Sequence, residues 1–151
     1  MSDWNDKLEK TIELEATVDR VWEALTDHSQ FGDWFKVALD QPFKAGERST
    51  GKMTYPGYEG IEWLAHIERI QPKELFAMRW HDPDPQSDLP LEQQPTTLVE
   101  FVLSQNGRGT TLLIRESGFA SYGDERGKEA MQRNAGGWEI QATNIIEYLS
   151  D

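Results

Sequence analysis

Residues 125–151 read "ERGKEAMQRNAGGWEIQATNIIEYLSD", and the spacing of the apolar residues in this stretch decides the fold. Met131, Ala135, Trp138, Ala142, Ile145 and Leu149 recur in steps of three and four. That rhythm predicts one long helix, from about Asp124 to Ser150, carrying a single apolar stripe. Two adjacent glycines, Gly136 and Gly137, stand in its middle, directly before Trp138. Each glycine costs a helix interior roughly 1 kcal/mol relative to alanine. They fall off the stripe, so they are not the seam with the core. Two explanations stand side by side: a bend in the helix, or the close approach of another segment to its back or flank. Under either one, alanine at one of the two positions should destabilise.

A helix with one apolar stripe needs an apolar surface to cover, and the sequence upstream provides strands. In "KLEKTIELEAT", Leu8, Ile12, Leu14 and Ala16 share one side against Glu9, Thr11, Glu13 and Glu15. This alternation is that of a half-buried strand. The period then changes: Val18, Val21, Trp22 and Leu25 follow helical spacing, with Thr17 as cap and Asp19 in the first turn. "DHSQFGDWF" reads as a second short helix, with Ser29 as its cap. From about residue 43 to 119 strand follows strand. Ile61, Trp63, Ala65 and Ile67 share one face, as do Phe76, Met78 and Trp80, then Val99, Phe101 and Leu103, then Leu112, Ile114 and Glu116. Pro56-Gly57, "QPKE" and "QNGRG" are the turns. Residues 81–95, "HDPDPQSDLPLEQQP", hold four prolines and four acids and read as a long loop.

The order is strand, two short helices, antiparallel strands, long helix, which is an α+β arrangement. About six strands at ~4.8 Å spacing span nearly 30 Å, whereas a helix with its side chains is about 10–12 Å across. One helix cannot cover that face unless the sheet curls around it. The space between is filled by large side chains or left as a pocket. The twelve residues expected to line it are Trp34, Phe35, Met53, Trp63, Ile67, Met78, Trp80, Phe101, Ile114, Glu116, Met131 and Trp138.

Composition narrows the function classes. The chain has 151 residues, read as one domain over residues 1–151 with a core of about 8–150. Its formal net charge is −12, which repels nucleic acid and anionic membranes. Mean hydropathy is −0.69, and no apolar run is long enough to span a bilayer. "MSDWNDKLEK" has no apolar segment of the signal-peptide kind. There is no cysteine, so disulfides and thiolate chemistry are excluded. A cytoplasmic protein is expected, monomeric or homodimeric, without nucleic-acid partners or membrane insertion.

"TVDRVWEALTD", "FKAG", "IERIQPKELFAMRW", "TTLVEFVL", "GTTLLIRESGF" and "GGWEIQATNIIEYL", taken in this order, resemble the SRPBCC (START-like) superfamily. Within it, the chain is most similar to the branch named after the C-terminal domain of the activator of Hsp90 ATPase. The resemblance covers about residues 8–150. It implies a helix-grip fold of the START and Bet v 1 kind, in which a curved antiparallel sheet wraps a long C-terminal helix around an apolar cavity. It implies less about function, because the superfamily includes lipid carriers, receptors, cyclases and chaperone regulators. Hsp90 activators carry a further N-terminal domain with an asparagine- and tryptophan-rich motif. No such motif stands in this sequence, so stimulation of Hsp90 is not expected.

Candidate chemistry is sparse. Glu116 shares its parity with Leu112 and Ile114, which points it inward near a strand end. Burial would raise its pKa and suit it to acid–base work, although a structural role in a polar network is the plainer reading. Tyr122 or Arg79 would be its partners in an enzyme of the cyclase or dehydratase kind. His28, His66 and His81 show no metal-binding spacing, and His66 falls on the wet face. "DPDPQSD" lacks the sixth-position glycine of a calcium loop, and its twelfth residue is Gln93. No metal and no cofactor are expected. The leading expectation is a module that binds a hydrophobic or aromatic small molecule, such as a lipid, in the grip cavity. A protein-interaction module of the Hsp90 co-chaperone kind is a further alternative.

Overall fold

The computed structural model describes residues 5–82 and 86–150. The start of the "MSDWNDKLEK" reading and the middle of "DPDPQSD" therefore lie outside the described residues. The strands are β1 (Lys7–Leu14), β2 (Val37–Leu39), β3 (Arg48–Met53), β4 (Glu62–Gln71), β5 (Leu75–His81), β6 (Thr96–Asn106) and β7 (Gly109–Ser117). The helices are α1 (Val18–Thr26), α2 (His28–Phe35) and α3 (Asp124–Tyr148). The strands form one seven-stranded sheet in the order β1-β7-β6-β5-β4-β3-β2, antiparallel at every step. With α3 on its inner face this is the helix-grip fold. No helix among the described residues is long and apolar enough to cross a membrane.

The alternations foreseen in β5, β6 and β7 hold. Phe76, Met78, Val99, Phe101, Leu112, Ile114 and Glu116 are all buried. Ala77 and Leu64, on the opposite parity, are buried as well. The register of β4 against β5 shifts between Ile67 and Arg69. A bulge of this kind bends the strand and sharpens the local twist, which helps the sheet curve. Ile61 is not part of the inner face: it precedes β4 and is 42% exposed.

The α1–α2 corner is tight. Thr17 caps α1 as expected, accepting from the Arg20 amide at 3.2 Å. The cap of α2 is Asp27, not Ser29: the Asp27 carboxylate accepts from the Ser29 amide at 3.3 Å. The reason is that α2 starts directly after Asp27, which also closes α1. Ser29 therefore falls inside the first turn. Phe31 on α2 is the hub of the core, with ring centroids 5.0 Å from Trp34, 4.8 Å from Phe35 and 5.3 Å from Phe43.

The strand not foreseen is β2. Lys36 ends α2 in the left-handed conformation at φ 71°, and the chain turns straight into Val37–Leu39. Two glycines admit it. A Cβ on Gly32 would lie 2.4 Å from the Val37 carbonyl oxygen, and one on Gly51 would lie 2.2 Å from that of Ala38. Both approaches are closer than any side-chain carbon tolerates. Gly51→Ala should therefore lower the unfolding free energy by about 1–3 kcal/mol, as read by urea denaturation. Wild-type stability in that variant would show that β2 does not seat on β3 in this way.

Candidate functional site

Glu116 ends the inner row of β7 and is 0% exposed. Its carboxylate accepts from the indole N–H of Trp138 at 2.9 Å and of Trp80 at 2.9 Å. It also accepts from the Thr97 hydroxyl at 2.6 Å and from the Asn134 amide at 3.1 and 3.2 Å. Burial pushes the carboxyl above its ordinary range, and these four donors oppose the shift. The Tyr122 hydroxyl lies beside Thr97 and is pushed up to about 12, by burial first and then by the charges of Asp82 and Glu116.

The two tethered indoles stack, with centroids 5.5 Å apart and planes 11° from parallel. Both border a groove of about 460 Å³ alongside the middle of α3. Phe35 closes it from α2, and Met53, Tyr55 and Tyr58 line the side formed by the end of β3 and the turn after it. Asp82 and Arg133, ion-paired with each other, also line it. Along α3 the wall is Asn134, Gly136, Gly137, Ile140 and Gln141. The Gln141 amide donates to the Phe35 carbonyl at 2.9 Å, joining the two helices.

The glycines find their explanation here. The close approach of another segment does not apply, since a Cβ on either would meet nothing within 4 Å, and α3 runs as one helix through both. They leave the helix bare where it borders the groove. The stripe of α3 also differs from the expected one. Ala130, Trp138, Ala142 and Ile145 are buried, while Ala135 is exposed and Met131 only half-buried. Asn134, one turn before Trp138, occupies the inward position instead. A stripe traced through 130, 134 and 138 would have exposed that polar residue and its partner.

Of the twelve residues expected to line a cavity, Phe35, Met53, Trp80 and Trp138 border the groove. Trp34, Trp63, Ile67, Met78, Phe101 and Ile114 are packed into the core instead. The reason is the aromatic cluster around Phe31, which fills the space between sheet and helix. Their polar edges are satisfied locally: the Trp34 indole donates to the Ala24 carbonyl at 2.8 Å, and that of Trp63 to the Ser49 hydroxyl at 3.0 Å. Met131 lies off the groove, and Glu116 lies behind its indole wall. Arg79 pairs with Glu68 at 3.1 Å on the outer face, far from any inward carboxylate chemistry. Tyr55, Tyr58, Asp82, Arg133, Asn134 and Gln141 escaped the sequence reading because they lie in turns or on the polar flank of the helix.

On the outer face, His66 is half-buried rather than fully wet, and its Nε2 lies 2.9 Å from Nε2 of His81. Burial pushes the His81 imidazole below its ordinary range, and the neighbouring His66 adds to this. No group of three or more metal-ligating side chains stands together among the described residues.

The model of the family described as activator of Hsp90 ATPase homolog 1-like protein matches residues 15–150, and the chain belongs to that family. No curated protein matches it. Among solved structures it is similar to MLL2253 from Mesorhizobium loti, with TM-score 0.76, 19% identity and coverage of 95% of this chain and 96% of that one. It is also similar to DynU16, a protein of the dynemicin biosynthetic locus, with TM-score 0.74, 23% identity and coverage of 97% of this chain but 48% of that one. A third is the Aha1 dimer from Colwellia psychrerythraea, with TM-score 0.71, 15% identity and coverage of 95% of both chains. Likeness at these identities speaks for the fold alone.

Because open space surrounds both glycines, Gly136→Ala and Gly137→Ala should each stabilise, by a few tenths to about 1 kcal/mol. Urea denaturation reads this, and a loss of stability in either would point to a contact at the groove wall. The histidine pair gives a pH dependence. A folded-state pKa below the unfolded 6.5 means that the folded protein binds fewer protons there. That contribution is present above pH 6.5 and is lost as pH falls through the lower folded value. Between about pH 7.5 and 5 the wild type should lose more melting temperature than His81→Gln does; equal losses would remove the histidine pair as the cause.

Proposed function

We propose that the chain binds a planar aromatic small molecule in the groove beside α3. The observation that carries this reading is the pair of glycines. They weaken α3 with no packing reason, and they border a space walled by Phe35, Trp80, Trp138, Tyr55 and Tyr58. Pockets with apolar and aromatic walls and a few converging polar groups are the usual small-molecule sites. Here the polar groups are the Asp82–Arg133 pair, Asn134 and Gln141.

An enzyme reading has less support. Both oxygens of Glu116 are engaged by four donors and lie behind the indoles, so the carboxyl has no open approach to a substrate. Its role in this reading is to hold the wall. A protein-interaction reading draws on a different observation: Tyr58 and Ile140, on the walls of the groove, are 55% and 45% exposed. Under that reading a partner's side chains, or those of a second copy, would fill the same space.

The test uses N-phenylnaphthylamine, an uncharged aromatic fluorophore. The expected result is saturable binding at about micromolar concentration, energy transfer from tryptophan, and a raised melting temperature. Gly136→Leu or Gly137→Leu, which fills the groove, should weaken binding at least about tenfold without lowering stability. Absence of binding, or equal binding by the leucine variants, defeats the reading. A dimeric mass by light scattering, with the probe excluded, would favour the interaction reading.

A further inference from the structure

The chemistry behind the groove wall names a class of ligand, if the groove is the binding site. Every partner of Glu116 is a neutral donor: two indoles, one amide and one hydroxyl. The indole and amide N–H groups can only donate. Five hydrogen bonds converge on two oxygens, and all of them favour the ionised form, against burial, which favours the neutral one. In the ionised form the carboxyl's negative charge is buried and meets no cation among these contacts. Arg133, the cation bordering the groove, is paired with Asp82.

That charge acts through the wall. An indole whose N–H is given to a carboxylate becomes richer in π-electron density, and its ring faces become more attractive to a positive charge. Trp80 and Trp138 are both in this state, and both border the groove. Tyr55, Tyr58 and Phe35 add three further aromatic walls. Aromatic enclosures of this kind receive cations whose charge is spread over a large, weakly hydrated group. The chain's net charge of −12 draws such molecules to its surface. We propose that the groove selects aromatic cations, planar molecules carrying a delocalised or quaternary positive charge, over neutral and anionic molecules of the same shape. Glu116 is the positioning residue of this selection, acting through the two indoles without touching the ligand.

The experiment compares three bicyclic probes of similar size: N-methylquinolinium, methylnaphthalene and naphthoate. Binding is measured by calorimetry and melting temperature at about 0.15 M and about 0.6 M NaCl, because salt screens the general surface charge but not a contact inside the groove. The expected result is that N-methylquinolinium binds at least about tenfold tighter than the other two at both salt concentrations. In Glu116→Gln, checked for native melting behaviour and circular dichroism, that preference should collapse to near equality. Equal binding of the three probes, or tightest binding of naphthoate, overturns the cation preference and leaves the groove standing as a binding site. A preference that disappears at high salt assigns it to the surface and overturns the proposal, as does one that survives in folded Glu116→Gln. If no probe binds, the groove reading falls and takes this one with it. Should Glu116→Gln fail to fold, the wild-type comparison at two salt concentrations still decides.

Discussion

One buried carboxylate organises this molecule. Glu116 on β7 accepts from Thr97 on β6, from Trp80 on β5, and from Asn134 and Trp138 on α3. Three adjacent strands and the long helix thus meet at a single pair of oxygen atoms. Apolar packing presses α3 onto the sheet without fixing its rotation, because hydrophobic contact is non-directional. The hydrogen bonds supply direction. They set the turn of the helix that faces inward and the angle of both indoles. A buried charge with neutral partners is expensive, and the compensation is this full set of donors.

Seen from that node, the glycine doublet and the indole pair belong together. Trp138 lies inward and is held by Glu116, while the two residues before it face the groove and carry no side chain. The helix thereby presents one rigid aromatic face and one bare stretch of backbone next to each other. Alanine would fit at both positions, so the sequence forgoes helix stability there. Natural proteins often hold such reserves where activity requires open space.

Much of the fold was legible because it rests on periodicity. The parity that put Glu116 beside Leu112 and Ile114 placed it inward, and the stripe of α3 identified Trp138, Ala142 and Ile145. The misreadings have physical causes. Val37–Leu39 is too short for alternation to register, and it exists because Gly32 and Gly51 admit its carbonyls. Asp27 replaced Ser29 because two helices abut with no linker between them. The cavity residues were the hardest to read. Parity says which side chains point inward but not whether they pack into a core, and Trp34, Trp63 and Phe101 all pack around Phe31. The groove is built from flanks and turns such as Tyr55, Tyr58 and Arg133, where no period operates.

The two ends of the sheet differ from its middle. At one end β2 is three residues long. At the other, β1 carries Lys7, Glu9 and Glu13 outward, and on its inner side Lys10 reaches Glu139 of α3 at 2.7 Å. An open sheet exposes unpaired backbone along its outermost strands and invites further chains to add to it. Here one rim is too brief to template an added strand, and the other would have to bury charges of both signs to accept one. A sheet that does not close into a barrel is thus kept from growing, which lets an acidic chain rich in aromatic residues accumulate without polymerising edge to edge.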